Sequence, residues 1–244
     1  MGARKDSTPP SPDVSESFYH RYARRYAEVS HAFRKSVYTD ASHTNLDDDW
    51  DLLERAKLLA PGKRCLDAGC GAGARDVHAL WQAGYDVYGV DAVPENIEVA
   101  REMHPEIADR VAVADLRQAL PFEDLAFDLV LCNAVIQHIA QEVVMAITLP
   151  ELVRVLRPSG ILQLMFKNGE GVLSLYDADY AAPRSFLLYD EYAMLAALAE
   201  HDMELVAPDT EDGLGGVMYF TDPKRARHCV FHMRKKACAP VSPP

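Results

Sequence analysis

The sequence predicts an α/β domain built on a doubly wound, mostly parallel sheet of seven strands whose last strand runs antiparallel, preceded by a helical cap. One observation is a glycine-rich turn, Gly69 to Gly73, that links an apolar strand segment to a helical segment. A second is that acidic residues end three successive predicted strands, at Asp67, Asp91 and Asp115. Because the carboxyl ends of parallel strands meet at one edge of a sheet, we expect a ligand site at that edge.

Length and charge limit the class of protein. The chain of 244 residues is long enough for one α/β domain with a sizeable core. A net charge of −12 argues against a nucleic-acid backbone or an anionic membrane surface as the main partner. No apolar run approaches the roughly 20 residues that span a bilayer, and residues 1–13 contain no hydrophobic signal region. We therefore expect a cytoplasmic protein with no nucleic-acid or membrane partner and with disordered tails at 1–13 and 239–244.

The five cysteines are an odd number, and three of them lie within or beside predicted buried strands. This usage is typical of small apolar residues in a reducing compartment rather than of a disulfide framework. Cys229 and His232 have ligand-like spacing, but no second pair accompanies them. The sequence therefore predicts no metal site.

The segment before the glycine turn is predicted to be a helical cap. From Ser17 to Arg34, apolar and aromatic residues recur at spacings of three and four, which is typical of a helix. Tyr19, Tyr22 and Tyr26 give this helix an aromatic face. Residues 14–45 are interpreted as a cap that either closes over a ligand or packs onto the core.

Residues 46–238 are predicted to form the main domain, in which helices and strands alternate. The predicted helices are Asp48–Leu59, Ala74–Ala83, Pro94–His104, Ala134–Leu156 with an interruption near Pro150, and Tyr189–His201. The predicted strands are one that ends at Asp67, then Tyr85–Asp91, Arg110–Ala114, Phe127–Asn133, Ile161–Phe166, Met203–Val206 and His228–Met233. Residues 167–188 are interpreted as an insertion on the substrate side of the site.

The glycine turn allows two ligands. Gly69, Gly71 and Ala74 satisfy the dinucleotide pattern G-x-G-x-x-G/A. Asp91 follows the turn by 18 residues, close to the spacing of about 20 expected for a carboxylate that binds ribose hydroxyls. A carboxylate at Asp67, however, repels a pyrophosphate and suits a ligand with a cationic amino group. NAD lacks such a group and S-adenosylmethionine has one, so Asp67 favours the second cofactor.

The stretch from Asp67 to Gly73 resembles the Asp-x-Gly-x-Gly-x-Gly signature of class I S-adenosylmethionine-dependent methyltransferases. The resemblance continues in order and spacing from Lys63 to Phe166, including the ending Leu156-Arg157-Pro158-Ser159-Gly160 before an apolar strand. It implies a Rossmann-like fold, S-adenosylmethionine as cofactor, and an adenine amino group bound by Asp115 beside the backbone of Leu116. The expected cofactor-binding residues are Asp67, Gly69, Gly71, Gly73, Asp91, Ala92, Asp115, Leu116, Asn133 and Tyr22.

His138 is the candidate catalytic residue. It follows the fourth predicted strand, where the resembled family places groups near the transferable methyl. It could act as a general base on a hydroxyl or a protonated amine, or it could brace the helix and the cofactor's carboxylate. Arg184 could hold a substrate carboxylate or pair with an acid of the chain. The candidate substrate-binding residues are Tyr19, Tyr26, Lys167, Tyr176 and Arg184.

The residues after the fourth strand exclude several substrate classes. The stretch Asn133-Ala134-Val135-Ile136 lacks the Asn/Asp-Pro-Pro-aromatic turn of base-amino methyltransferases, and no Pro-Cys nucleophile stands there. The acidic charge and the tyrosine-rich flanks favour a small-molecule acceptor at oxygen or nitrogen over carbon or sulfur, while protein substrates stay open. The sequence therefore predicts methyl transfer by in-line displacement. The alternatives are an NAD-dependent oxidoreductase and a non-catalytic S-adenosylmethionine-binding partner protein.

Overall fold

The computed structural model of the chain describes residues 12–32, 46, 49–208, 213–221 and 226–237. Its α-helices are α1 (Pro12–Ala32), α2 (Asp49–Leu59), α3 (Arg75–Gln82), α4 (Pro94–Met103), α5 (Gln141–Val143), α6 (Leu149–Val155) and α7 (Glu191–Glu200). Its strands are β1 (Arg64–Ala68), β2 (Asp86–Asp91), β3 (Val111–Val113), β4 (Phe127–Asn133), β5 (Leu156–Lys167), β6 (Val172–Asp177), β7 (Ala182–Leu187), β8 (Met203–Leu205), β9 (Met218–Thr221) and β10 (Arg227–Lys235). Short 3₁₀ segments lie at Pro105–Ile107 and Ile136–His138, and a π-helical segment, Val144–Thr148, joins α5 to α6.

The main sheet has eight strands in the order β3-β2-β1-β4-β5-β10-β8, with β9 also paired to β10. Strands β1 to β5 pair in parallel, whereas β10 runs antiparallel to β5, β8 and β9. The predicted doubly wound sheet with an antiparallel last strand is confirmed, and β9 is added to the seven expected strands. An antiparallel strand between β5 and β8 distinguishes this order from the 3-2-1-4-5-6 order of dinucleotide-binding folds.

Strand β4 divides the core into two halves. Its side chains alternate between the faces of the sheet. Val130 and Cys132 pack with helices α6 and α7, while Leu129 and Leu131 pack with α2, α3 and α4. All four side chains are fully buried, which explains the unbroken apolar run in the sequence. Because helices cover both faces of the sheet, a ligand meets the sheet at the loops that follow the strands.

The segment after β4 differs from the single helix predicted for Ala134–Leu156. Ala134 has a φ of 57°, a left-handed conformation that prevents a helix from starting there. The α-helical hydrogen bonding begins only at α5, and the π-helical segment precedes Pro150 near the start of α6. Pro150, which has no N–H to donate, is the second residue of α6, and α6 follows the π-helical segment directly, so the predicted interruption near Pro150 corresponds to the change from π-helical to α-helical bonding. Strand β5 begins at Leu156, five residues before the predicted start at Ile161.

Helix α1 and the hairpin formed by β6 and β7 flank the ligand edge of the sheet. Helix α1 starts at Pro12, five residues before the predicted start at Ser17, because proline is well suited to the first turn of a helix. It is held to α4 by the pairs His20–Glu95 and Arg24–Glu102. The predicted insertion at 167–188 contains the hairpin, and Arg25 of α1 donates to the carbonyl oxygen of Asp179 at its tip, 3.4 Å away. The predicted tails fall almost wholly on residues 1–11 and 238–244, outside the described residues.

The four cysteines in the described part of the chain are free thiols: Cys65, Cys70, Cys132 and Cys229. Burial raises the pKa of each of these thiols well above its usual range, so they behave as the small apolar residues that the sequence predicts. Among the described helices, none has both the length and the hydropathy needed to cross a membrane.

Two buried histidines should make the fold sensitive to acid. Burial lowers the pKa of His232 to about 4 and the pKa of His138 to about 3. In an unfolded chain both rings have a pKa of about 6.5. Between these values the unfolded chain therefore binds more protons than the folded chain, and the free energy of unfolding falls as the pH falls. Replacing His232 with glutamine should reduce this decline by up to about 1.4 kcal/mol per pH unit in urea unfolding. Identical slopes in the two proteins contradict the prediction.

Candidate active site

The glycine turn after β1 is held against β2 by backbone hydrogen bonds. The N–H groups of Gly69 and Cys70 both donate to the carbonyl oxygen of Val90, at 2.8 and 2.9 Å. Gly69 and Gly71 have φ values of 94° and 66°, which glycine adopts without a steric penalty. A Cβ added to Gly69 would lie 2.3 Å from Cγ2 of Val135. The turn therefore passes directly against the segment that follows β4.

Asp91 is fixed at the end of β2 by three hydrogen bonds. Its Oδ2 accepts from the N–H of Gly71 at 3.0 Å, and its Oδ1 accepts from the N–H of Val93 at 2.9 Å and from the side-chain amide of Asn96 at 3.0 Å. Burial raises the pKa of the Asp91 carboxyl, and these hydrogen bonds act against that rise. A carboxylate has about four lone-pair sites, so Asp91 can still accept a hydrogen bond from a ligand hydroxyl.

Asp115, after β3, forms a pair with Arg117. The Nε of Arg117 donates to both carboxylate oxygens, at 2.8 and 2.9 Å, and its Nη2 lies 2.7 Å from Oδ2. Burial acts to raise the pKa of Asp115, but the bonds from Arg117 outweigh it and hold that pKa below its usual range. Sequence reasoning missed Arg117, although an arginine two residues after a candidate acid was a usable signal. A ligand amino group at Asp115 has to share the carboxylate with this guanidinium.

Asp67 is the next-to-last residue of β1 and lies in a buried position beside Asp76 of α3. Burial, and next the charge of Asp76, raise the pKa of the Asp67 carboxyl well above its usual range, while Arg75 acts in the opposite direction. The Nε of Arg75 donates to Asp76 at 2.8 Å, and its guanidinium lies 4.6 Å from the ring centroid of Trp50. Two buried carboxyl groups beside one arginine favour the approach of a further cationic group.

A chain of polar side chains runs from Asp76 through the sheet. Asn133 donates to Oδ2 of Asp76 at 3.3 Å, and Gln163 donates from Nε2 to Oδ1 of Asn133 at 3.0 Å. Because the amide oxygen of Gln163 is then the acceptor, His232 donates to it from Nε2 at 3.0 Å. This chain orients the Asn133 side chain at the end of β4.

His138 meets Tyr19 of α1 and, through it, Arg184 of β7. The Nε2 of His138 lies 3.1 Å from the hydroxyl oxygen of Tyr19. Nη2 of Arg184 donates to the same hydroxyl oxygen at 2.7 Å. Burial, followed by the charges of Arg184 and Lys167, lowers the pKa of His138 to about 3. The ring is therefore neutral at physiological pH and has a lone pair for a proton.

One cavity brings most of the predicted residues together. The predicted residues that line it are Tyr19, Tyr26, Gly69, Gly71, Asp91, Ala92, Asp115, Leu116, Asn133 and His138. The lining residues that sequence reasoning missed are Val93, Asn96, Arg117, Ala134, Val135 and Ile139. The predicted residues that do not line it are Asp67, Gly73, Tyr22, Lys167, Tyr176 and Arg184.

For three of those six residues the structure shows what surrounds the side chain or the Cα atom. Tyr176 of β6 is 68% exposed. Tyr22 turns its ring toward Phe18 and Tyr180, with ring centroids 4.8 and 5.7 Å away. A Cβ added to Gly73 would meet no atom within 4 Å.

Lys167 and Arg184 lie behind the wall of the cavity. The Nζ of Lys167 is 3.0 Å from Nε2 of His228, and the lysine side chain is buried. Arg184 pairs with the fully buried Asp177 at 3.1 Å, which is the second of the two roles considered for it. Both cations approach the ring of Phe186, at 4.7 and 4.8 Å from its centroid.

His78, His104 and Glu106 form a cluster of possible metal ligands that does not line the cavity. Their ligand atoms all lie within 4.8 Å of one another. The two imidazole rings, however, are stacked 3.8 Å apart with an angle of 19° between their planes. A histidine binds a metal in the plane of its ring, so nearly parallel rings cannot direct lone pairs to one ion without rotating.

The family model described as Methyltransferase domain matches residues 66–164 of the chain. This range contains the glycine turn, the three acids Asp67, Asp91 and Asp115, and the segment that carries His138. This part of the chain is a methyltransferase domain. Domains of this class bind S-adenosylmethionine, and the residues present fit that cofactor: Asp91 keeps an unused acceptor, buried acids lie near the turn, and Gly69 has no room for a Cβ.

One curated relative of this chain is the ubiquinone biosynthesis O-methyltransferase of Azorhizobium caulinodans. The two are 33% identical over 156 residues, which cover 59% of this chain and 58% of the relative. The chain spans less than half the length of the first curated relatives that it matches, between 32% and 42%.

Two solved structures have the same fold. One is the 1,6-didemethyltoxoflavin-N1-methyltransferase of Burkholderia thailandensis with bound 1,6-didemethyltoxoflavin and S-adenosylhomocysteine, with a TM-score of 0.63, 19% identity, and coverage of 95% of this chain and 93% of that chain. The other is the [4+2]-cyclase SpnF, with a TM-score of 0.63, 16% identity, and coverage of 97% and 100%. At these identities the likeness shows the fold alone.

Proposed function

We propose that this chain transfers a methyl group from S-adenosylmethionine to a small-molecule acceptor, at oxygen or nitrogen rather than carbon or sulfur. The observation that carries the proposal is the single cavity that is lined at once by Asp91, Asp115 and His138. It combines the acids expected to bind the cofactor with a neutral imidazole that can take a proton.

In this reaction the chain mainly has to align the two reactants and exclude water. When bound, S-adenosylmethionine supplies a methyl group on a positively charged sulfur, which is an activated leaving group. Asp91 would hold the ribose hydroxyls, and Asp115 the adenine amino group next to Arg117. The lid formed by α1 and the β6–β7 hairpin would keep water away from the reacting atoms. His138 would accept the proton of a hydroxyl or of a protonated amine.

The acceptor is expected to carry a ring. Tyr19, Tyr26, Val135 and Ile139 line the cavity with apolar and aromatic surface, which suits ligands that combine a ring with polar groups. The name of the Azorhizobium relative, an O-methyltransferase of ubiquinone biosynthesis, supports an oxygen acceptor. The heteroaromatic ligand in the Burkholderia structure supports a ring-bearing small molecule.

Calorimetry and a product assay test the proposal together. S-adenosylmethionine and S-adenosylhomocysteine should bind and NADH should not, and labelled methyl should reach at least one small hydroxyl- or amine-bearing ring compound. Binding of NADH alone would point to the oxidoreductase alternative. Tight binding of S-adenosylhomocysteine without transfer to any acceptor would favour the non-catalytic alternative.

Replacing Asp91 with asparagine should weaken the binding of S-adenosylhomocysteine by about 1.5–3 kcal/mol, the range for hydrogen bonds to charged groups. The variant keeps the shape of the side chain but removes the charge and one acceptor. Asp109→Asn is the matched control, because the Asp109 side chain is 83% exposed and does not line the cavity. Equal affinities of the Asp91 variant and the control, measured by calorimetry, would exclude a role for Asp91 in binding the ribose.

A further inference from the structure

The hydroxyl of Tyr19 lies between two side chains from other parts of the fold. Its oxygen is 2.7 Å from Nη2 of Arg184 on β7 and 3.1 Å from Nε2 of His138 after β4. The Tyr19 ring makes edge contacts with the rings of Phe18, Tyr26 and His138, with centroids 5.2–5.3 Å apart. These contacts hold the hydroxyl in one position, at the wall of the cavity that Tyr19 and His138 both line.

The direction of both hydrogen bonds follows from the groups involved. A guanidinium has donors and no acceptor, so Arg184 donates and the proton of Tyr19 cannot point toward it. A hydroxyl proton that is withdrawn from water without an acceptor costs about 1–3 kcal/mol, and among the described residues Nε2 of His138 is the other side-chain partner of this hydroxyl. Tyr19 therefore donates to His138, and the His138 ring carries its own proton on Nδ1.

The unprotonated nitrogen of the ring is then Nε2, and its lone pair accepts the hydrogen bond from the Tyr19 hydroxyl. An acceptor molecule in the cavity reaches this nitrogen most directly through the tyrosine oxygen, which has two lone pairs and uses one of them for Arg184. We propose that Tyr19 is a catalytic residue of the methyl transfer proposed above, passing the proton of the acceptor to His138. This inference rests on the proposed function.

The step balances in atoms and charge for a hydroxyl acceptor. The acceptor O–H bond breaks and its proton goes to the Tyr19 oxygen, while the Tyr19 O–H bond breaks and its proton goes to Nε2 of His138. The acceptor oxygen forms a bond to the methyl carbon, and the carbon–sulfur bond breaks with its electron pair on sulfur. One positive charge is present before and after the step, first on sulfur and then on the imidazolium of His138.

The charged groups around this pair suit a proton that is held briefly. Arg184 of β7 and Lys167 of β5 face His138, while Arg184, Asp91 and Tyr26 act on Tyr19. Burial and the two cations lower the pKa of His138, so its proton leaves readily for solvent after the methyl transfer. Burial raises the pKa of the Tyr19 hydroxyl well above its usual range, so Tyr19 keeps a proton between turnovers.

Arg184 is a positioning residue in this scheme. Its Nη1 donates to the fully buried carboxylate of Asp177 at 3.1 Å, and its guanidinium lies 4.4 Å from the ring centroid of Phe18. The guanidinium is thus fixed on both sides and holds the Tyr19 hydroxyl with its proton toward His138.

Steady-state kinetics of Tyr19→Phe test the proposal, with Tyr192→Phe as control because Tyr192 is 73% exposed on α7. The probes are labelled S-adenosylmethionine with phenol, 1,2-dihydroxybenzene and 1,4-dihydroxybenzene. We expect kcat of Tyr19→Phe to fall at least about 100-fold, within the range for general acid–base groups, with KM and the affinity for S-adenosylhomocysteine changed less than threefold. In mixtures of H₂O and D₂O, a plot of the wild-type kcat against the deuterium fraction should be curved, because two protons are transferred in the same step. A kcat of the variant equal to wild type, or a linear isotope dependence in wild type, would overturn the relay.

Nitrogen NMR of histidine-labelled protein without acceptor gives a readout that does not depend on turnover. In wild type, His138 should show a protonated Nδ1 and an unprotonated, hydrogen-bonded Nε2. Tyr19→Phe should shift the Nε2 signal and Tyr192→Phe should not. A proton on Nε2 in wild type refutes the relay even if methyl transfer occurs. If none of the three phenols is methylated, that result counts against the proposed function, and the NMR result still decides the relay geometry.

Discussion

Replacing His138 with glutamine is expected to lower kcat for methyl transfer by about 10²- to 10⁴-fold, the range measured for general acid–base groups. Glutamine has a similar reach and can keep a hydrogen bond to the Tyr19 hydroxyl, but its amide cannot take a proton at neutral pH. The affinity for S-adenosylhomocysteine should stay near the wild-type value, because the acids that are expected to hold the cofactor lie on β2 and β3. A loss in kcat without a loss in cofactor affinity separates a catalytic role from a bracing role.

The pH profile gives an independent check on the same residue. Burial, followed by the charges of Arg184 and Lys167, lowers the pKa of His138 to about 3. The ring therefore stays in its basic form down to about pH 4, and kcat/KM should show no acidic limb near the ordinary histidine pKa of about 6.5. The prediction is wrong if kcat/KM of the wild type falls with a pKa near 6.5 and this fall is absent in His138→Gln, because the ring then titrates as an exposed histidine does.

Replacing Gly69 with alanine is expected to reduce the free energy of unfolding by about 2–5 kcal/mol, the combined scale of an unfavourable backbone conformation and of overpacking. Gly69 has a φ of 94°, which a residue with a side chain rarely adopts. The added Cβ would also lie 2.3 Å from Cγ2 and 2.8 Å from Cγ1 of Val135. Either the turn or the segment after β4 has to move, and both line the cavity.

Gly73→Ala is the matched control in the same turn. Its φ lies outside the left-handed region, and a Cβ there would meet no atom within 4 Å. Urea unfolding should show the control within about 1 kcal/mol of wild type, the scale of a Gly-to-Ala change at a compatible site. S-adenosylhomocysteine binding should fall strongly for Gly69→Ala and little for Gly73→Ala. Equal stability and equal binding of the two variants would contradict the packing argument.

Much of the fold follows from local sequence patterns. The alternation of strand and helix segments, the glycine turn and the acids at Asp67, Asp91 and Asp115 predict a parallel sheet with a ligand edge, and the sheet order confirms the sheet. These predictions work because side-chain periodicity and glycine conformation act within a few residues of the chain. Local patterns failed where backbone geometry overrides them, as at Ala134, whose left-handed φ delays the helix after β4.

The part of the cavity that contains the strand-end acids was also largely predictable, because each acid lies at or just after the end of its own strand. Gly69, Gly71, Asp91 and Asp115 all line the cavity as expected. Arg117 was missed because an exposed arginine and an arginine that pairs with a neighbouring acid look alike in a sequence.

The surroundings of His138 were decided by the tertiary structure. Tyr19 and His138 are 119 residues apart, and Tyr19 and Arg184 are 165 residues apart. No local pattern relates such positions, since their meeting depends on α1 packing on α4 and on the β6–β7 hairpin folding back toward α1. The sequence alone determined that tyrosines, a histidine and an arginine flank the site. Only the packed fold determined that one tyrosine hydroxyl lies between the arginine and the histidine, because hydrogen-bond distance depends on where whole elements dock.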